Sequence, residues 1–322
     1  MSVDKFLYLI LCSSLTMFFG ACVSSSDESS EPPVSEEAQQ AIAKAKKETE
    51  IGRDMTGRLL KFWGAVGKKP LVRYVSEVGA YVAANSEYSD RKFMFEILDT
   101  PQVNAFAAPG GYILLTKGAI VNAESEAELA AVIAHEIAHV GKEHMINTLL
   151  EKNREFEDDR SDEPESVRVR RRPDPKKSQT GSLLAKYIAG SVAGLNVLKA
   201  ARQGMSIILE KGLGAELEFE ADVEGSKILV NSGYYPFALV EYLCRIETKR
   251  GMDKKDCFKE RNSKIADQEK TILDKTHPTV PARIQTIMKE LDKIDAKSIT
   301  GAKGQKRFLK RKALLNTAST KK

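Results

Sequence analysis

Three of the four histidines in the chain, His135, His139 and His144, fall within ten residues of one another. His135-Glu136-Ile137-Ala138-His139 forms an H-E-x-x-H pattern. On a helix, residues four apart lie about 40° from each other around the axis. Both imidazoles then project from one face and can share one divalent ion. By the same step Glu136 sits about 100° from His135 and about 60° from His139. That puts it beside the ion, where it can take a proton from an attacking water. His144 follows His135 by nine positions, about 180° around a continuous helix, and is expected to be structural.

Two histidines leave a metal under-coordinated, so a third donor must come from elsewhere. The metzincin pattern wants Gly three and His six residues after the second histidine, where this chain has Lys142 and Met145. Glu218-Phe219-Glu220-Ala221-Asp222 is the natural source. Glu218 and Asp222 share a helical face, one as ligand and the other as acceptor for a ligating histidine N–H. Glu220 is the competing ligand, but projects about 160° from Asp222. Gly214, Ala215, Ala221 and Gly225 are small enough to let this helix approach the histidine helix closely.

The elements that must position these groups are legible in outline. Residues 36–63, 71–84, 125–147, 183–208, 215–230, 236–248 and 281–294 have helical character, with Ser125 and Glu128 in a capping-box pattern. Residues 93–98 and 112–116 carry strand signals, with Pro109-Gly110-Gly111 as turn chemistry between them. The expected fold class is α+β, mostly helical with a small sheet. On the histidine helix, Leu129, Ala130, Ile133, Ile137 and Val140 are the expected core face, which leaves the histidines facing a cleft.

The chain has 322 residues, 42 % hydrophobic and 30 % charged, which excludes a collagenous, wholly disordered or multi-span membrane protein. Its net charge of +5 is local. Nine Lys and Arg and no acid occur from residue 296 onward, so the preceding body is mildly acidic. Residues 6–21 are apolar and end in small residues before Cys22, the pattern of an export signal whose cysteine is lipidated. A soluble secreted protein and an uncleaved anchor are the alternatives. Residues 24–33 are Ser-rich and Pro-terminated, as in a flexible leash. Export permits a Cys244–Cys257 disulfide, with two buried thiols as the alternative. Residues 151–180 are charge-segregated and Pro-containing and read as a disordered insertion. They carry no aromatics among the charges, so no nucleic-acid partner is expected.

Together these segments resemble the HtpX and CAAX-prenyl-protease family of gluzincin zinc metallopeptidases, in its periplasmic lipoprotein and Oma-type branch. The resemblance spans roughly residues 48–291. It rests on HEIAH with His144, on EFEAD, on Asn104-Ala105-Phe106-Ala107 with Pro109-Gly110-Gly111-Tyr112-Ile113, and on Thr276-His277-Pro278 with Arg283-Ile284. It implies one Zn²⁺ per chain, held by His135, His139 and Glu218, with Glu136 as general base and Asp222 behind the ligands. His277 and Arg283 match residues near the metal, either of which could stabilise an oxyanion; the histidine could also be a reversible fourth ligand. Asn104, Ala105, Phe106 and Ala107 match an edge strand that pairs with an extended substrate backbone. The implied organisation is a signal over 1–21, a tether over 22–35, a peptidase domain over 36–294 and a basic tail over 295–322. The implied protein is an endopeptidase acting on unfolded or misfolded polypeptides in the bacterial envelope. It would be tethered by lipid on the periplasmic face, with the outer membrane favoured, in an unknown oligomeric state. The alternative is a periplasmic chaperone or assembly factor with a latent zinc site.

Overall fold

The computed structural model describes residues 35–159, 196–258 and 276–316. The signal segment, Cys22, the leash and most of the charged insertion lie outside them. No helix among the described residues is long and apolar enough to cross a membrane.

Helix α1 (Glu36–Trp63) starts at Ser35, whose hydroxyl accepts the Ala38 N–H, and stops at Gly64 with φ 75°. Helix α2 (Lys69–Ala84) follows, with a proline in its first turn. Three strands come next: β1 (Met94–Leu98), β2 (Ala105–Ala108) and β3 (Tyr112–Thr116). Their order is β1-β3-β2, with β1 parallel and β2 antiparallel to β3. β2 is therefore an outer strand. After α3 (Lys117–Asn122) come α4 (Glu126–Gly141) and α5 (His144–Asp159). The remaining helices are α6 (Val197–Ser206), which runs into one π-helical turn (Ile207–Lys211), α7 (Ala215–Asn231), α8 (Ala238–Lys249), α9 (Val280–Lys293) and α10 (Gln305–Lys312). The class is α+β and mostly helical, as expected.

The histidine helix departs from expectation in two ways. It is buried all round: Glu126 through Val140 are all buried, the histidine face included. α2, α7, α8 and β2 pack around it, so it is the axis of the domain rather than one wall of an open cleft. It also ends at Gly141, and α5 begins anew at His144. Between them Glu143 takes φ 59° and is held by Lys44 from α1 (2.6 Å) and Arg91 (2.9 Å). Two cations distant in sequence thus impose a break that local propensity does not. Residues 151–159, expected in the insertion, instead continue α5.

The capping serine behaves as expected, its Oγ accepting the Glu128 N–H at 3.2 Å. The Glu128 carboxylate, however, takes the Glu124 N–H and pairs with Arg245, rather than closing back on Ser125. Close approach of α7 to α4 depends on Gly225: a Cβ there would stand 2.9 Å from the His135 backbone. Cys244 and Cys257 are bridged, with Cα atoms 5.5 Å apart.

The basic C-terminal segment is docked rather than separate. Phe308 of α10 is fully buried, and Arg307 pairs with Glu126, which is buried at the start of α4. The Tyr74 and Tyr234 hydroxyls donate to the same carboxylate at 2.6 and 2.8 Å. Burial pushes the Glu126 carboxyl up, but the Arg307 guanidinium and the two tyrosines more than offset this and hold it below its usual value. A depressed carboxylate stabilises the fold above its unfolded pKa and loses that contribution as pH falls through the folded value. Glu126→Gln should therefore cost about 2 kcal/mol at pH 7. The gap from wild type should narrow below about pH 4.5, as urea midpoints measured across pH would show.

Candidate active site

Helix α4 supplies His135, Glu136 and His139, and α7 supplies Glu218 and Asp222. His277 precedes α9, which carries Arg283. One ligand-type atom from each of His135, His139 and Glu218 lies within 4.8 Å of the others, and all three residues are buried. The His135 and His139 Nε2 atoms are 3.1 Å apart. Glu218 Oε2 lies 3.5 Å from His135 Nε2, and Oε1 lies 3.5 Å from His139 Nε2. Bonds of 2.0–2.1 Å to a tetrahedral ion give ligand separations of about 3.3 Å, so the three donors fit such an ion. Buried Glu218 Oε2 also has no hydrogen-bond partner, an orphaned acceptor that a cation would satisfy.

The outer nitrogens of both histidines are fixed. His135 Nδ1 lies 3.0 Å from Asp222 Oδ1, and Arg283 grips the same carboxylate through two nitrogens at 2.9 and 2.7 Å. With a proton on Nδ1, the Nε2 lone pair faces inward. Burial alone would lower the His135 pKa, but hydrogen bonds to Asp222 and Glu218 raise it to about 9. Proton and metal ion therefore compete for Nε2.

His139 is held by the residue that helical arithmetic placed on the far side. Because the helix breaks at Glu143, His144 turns back, and its Nδ1 lies 2.9 Å from His139 Nδ1. Its Nε2 is 3.3 Å from Glu220 Oε2. Burial, followed by neighbouring His139, lowers His144 to about 4, so the ring is neutral near pH 7. A neutral ring can donate to Glu220 and accept from His139, which again leaves Nε2 of His139 free. Glu220, the competing ligand, is thus committed to His144 and to Lys142 at 3.1 Å.

Glu136 is buried, and that burial raises its carboxyl pKa. His277 Nε2 reaches Glu218 Oε2 at 3.3 Å, while its Nδ1 lies 2.8 Å from the Thr276 hydroxyl. Burial lowers His277 to about 4. Asn104, Ala105, Phe106 and Ala107 line hollows beside Glu136. The walls contributed by α8, namely Leu239, Tyr242, Leu243 and Ile246, went unmarked in the sequence because they read as ordinary core.

A helix-borne histidine pair completed by a glutamate from a second helix is the donor set of the gluzincin class. Comparison with known proteins points the same way: residues 71–155 match the model of peptidase family M48. A Vibrio cholerae protein is 31 % identical over 176 residues, covering 55 % of this chain and 33 % of its own length. The beta-barrel assembly-enhancing protease of Escherichia coli strain K12 is 29 % identical over 176 residues, 54 % of this chain and 32 % of that protein. The mitochondrial metalloendopeptidase OMA1 of Schizosaccharomyces pombe is 39 % identical over 75 residues, 23 % of this chain and 22 % of that protein. The chain thus spans about a third of the bacterial relatives it matches.

Outer partners of metal-binding histidines typically contribute 10–100-fold in affinity. His144→Ala should weaken divalent-metal binding by about tenfold or more, measured by chelator competition, while the melting temperature reports whether the fold survives.

Proposed function

We propose that the chain is a zinc-dependent endopeptidase that hydrolyses unfolded or misfolded polypeptides of the bacterial envelope. The observation that carries this reading is the convergence of His135, His139 and Glu218, with Glu136 at its side. The M48 match supports metallopeptidase chemistry, and the names of the bacterial relatives support an envelope setting. The Cys244–Cys257 bridge favours an oxidising compartment. Tethering through lipid on Cys22, on the periplasmic face, follows from the N-terminal sequence pattern.

Zinc, when bound, would supply a Lewis acid for the attacking water and the scissile carbonyl. Glu136 removes the proton from that water and returns it to the leaving amine. Its raised pKa suits a group that must both accept and donate. His277, accepting from Thr276 at Nδ1, keeps a proton on Nε2 and donates to the developing oxyanion. Arg283 gives two donors to Asp222 and acts through it as a positioning residue for His135. The outer strand β2 aligns the substrate backbone.

The chaperone alternative draws on one observation, the His277 ring standing against Glu218. Glu136→Gln separates the two readings. As a protease, the variant should bind one zinc per chain, yet lose at least about 1000-fold in hydrolysis of unfolded casein. It should also fail to complement a deletion strain. Full complementation by Glu136→Gln would favour the chaperone.

A further inference from the structure

Helix α10 has two unlike faces. Phe308 anchors it in the core, and Arg307 pairs with Glu126 where α4 begins. Lys306 and Lys310 each stand two positions from Phe308, about 160° around the axis, so both project away from the core. Both are exposed, and neither forms an ion pair or hydrogen bond among the described residues. Leu309 lies about 60° from Lys306 and is 45 % exposed. A single exposed leucine is ordinary; one set beside two unpaired lysines, on a helix with no acid, is a more specific pattern.

The acids on neighbouring elements do not neutralise this face. Glu126 is taken by Arg307 and two tyrosines, Glu241 by Lys303, and Glu124 and Glu128 by Arg245. Glu77 of α2 lines a groove with Arg307 and Arg311, on the other flank of α10. From residue 296 onward the chain has no Asp or Glu at all. Positive charge also continues past the last turn. Burial, followed by the nearby Lys249 ammonium, holds Lys312 below the usual lysine range, and Lys249 donates to the neutral Asn122 amide.

We infer that the outward face of α10, formed by Lys306, Leu309 and Lys310, is a docking surface for an anionic phospholipid bilayer. The two ammonium groups meet headgroup phosphates, and the leucine enters the apolar layer beneath them. An acidic protein surface would match the charge but would not call for the leucine. The proposal rests on the envelope reading for its setting and adds a contact that needs no covalent lipid. A lipid on Cys22 would keep a bilayer within reach, since the chain from Cys22 to Ser35 spans at most about 45 Å when extended. A tether of that kind leaves the domain to rotate, whereas a second contact fixes its orientation. The Ala127 N–H donates to the Lys303 carbonyl at 3.1 Å, so α10 is docked at the start of α4. His135 and His139 come about 14 and 20 Å further along that helix. Contact through α10 therefore leaves the metal-holding half of α4 uncovered.

Vesicle sedimentation tests this with the chain from residue 23 onward, which keeps every described residue and lacks Cys22, so that no lipid anchor contributes. The protein should bind vesicles of equal parts phosphatidylglycerol and phosphatidylcholine at least about tenfold more tightly than phosphatidylcholine alone. Salt at about 1 M, where the screening length falls to about 3 Å, should remove that preference. Lys306→Gln combined with Lys310→Gln should weaken binding to the anionic vesicles about twentyfold, while Lys306→Arg with Lys310→Arg should keep it. Leu309→Ala should cost about fivefold. Melting temperatures should stay at the wild-type value, because these side chains point away from the core. Equal binding to both vesicle types, or binding unchanged by the paired glutamine substitutions, overturns the proposal. Binding to polyglutamate as tight as to the anionic vesicles, with Leu309→Ala changing neither, overturns the bilayer in favour of an acidic protein partner. Hydrolysis of unfolded casein without vesicles should be the same in every variant. A wild type that cuts nothing overturns the endopeptidase reading, while sedimentation still decides the docking surface.

Discussion

The close approach of α7 to α4 is the constraint from which the site follows. At Gly225 the two backbones come too near for any side chain between them. That proximity brings Glu218 within reach of two imidazoles borne by a helix eighty residues earlier. It also buries three carboxylates, Glu136, Glu218 and Asp222, in one small volume. Buried anions are tolerated only when paired. Asp222 is paired by Arg283 and His135, and Glu218 faces three histidine nitrogens. A metal ion would complete the balance that these residues leave open at Glu218 Oε2.

The two histidines are supported by unlike partners. His135 leans on a carboxylate gripped by a guanidinium, deep in the core. His139 leans on a neutral histidine whose own partner, Glu220, is close to the surface. Both arrangements fix the same tautomer, with the inner nitrogen free. The sheet and α8 complete the setting, since β2 and the apolar face of α8 form opposite walls beside Glu136.

Much of this was legible in the sequence wherever a local period decides. His135, Glu136 and His139, and likewise Glu218 and Asp222, could be placed because the helical step alone sets which side chains share a face. The limits of α1 were legible from its helical character, and those of β3 from the strand signal that follows the Pro109-Gly110-Gly111 turn. What escaped was set by residues far apart in the chain. The break at Glu143 depends on Lys44 and Arg91, and it reverses where His144 points. The all-round burial of α4 reflects neighbours that composition cannot name. The alternatives left open for Cys244 and Cys257 needed a Cα separation, and the docking of the basic end needed Glu126 as its partner.

Glu126 and Asp222 share a property that bears on how the domain comes into being. Each is a buried acid whose guanidinium partner, Arg307 or Arg283, comes from the last part of the described chain. The residues that precede α9 therefore do not balance the charge of the assembly around α4, and both of its ends depend on segments far along the chain. Without α9 and α10, Glu126 and Asp222 would be uncompensated negative charge in the core, which disfavours the packing of α4 against α7. Assembly of the site is thereby coupled to the docking of the two helices that bring the guanidinium groups.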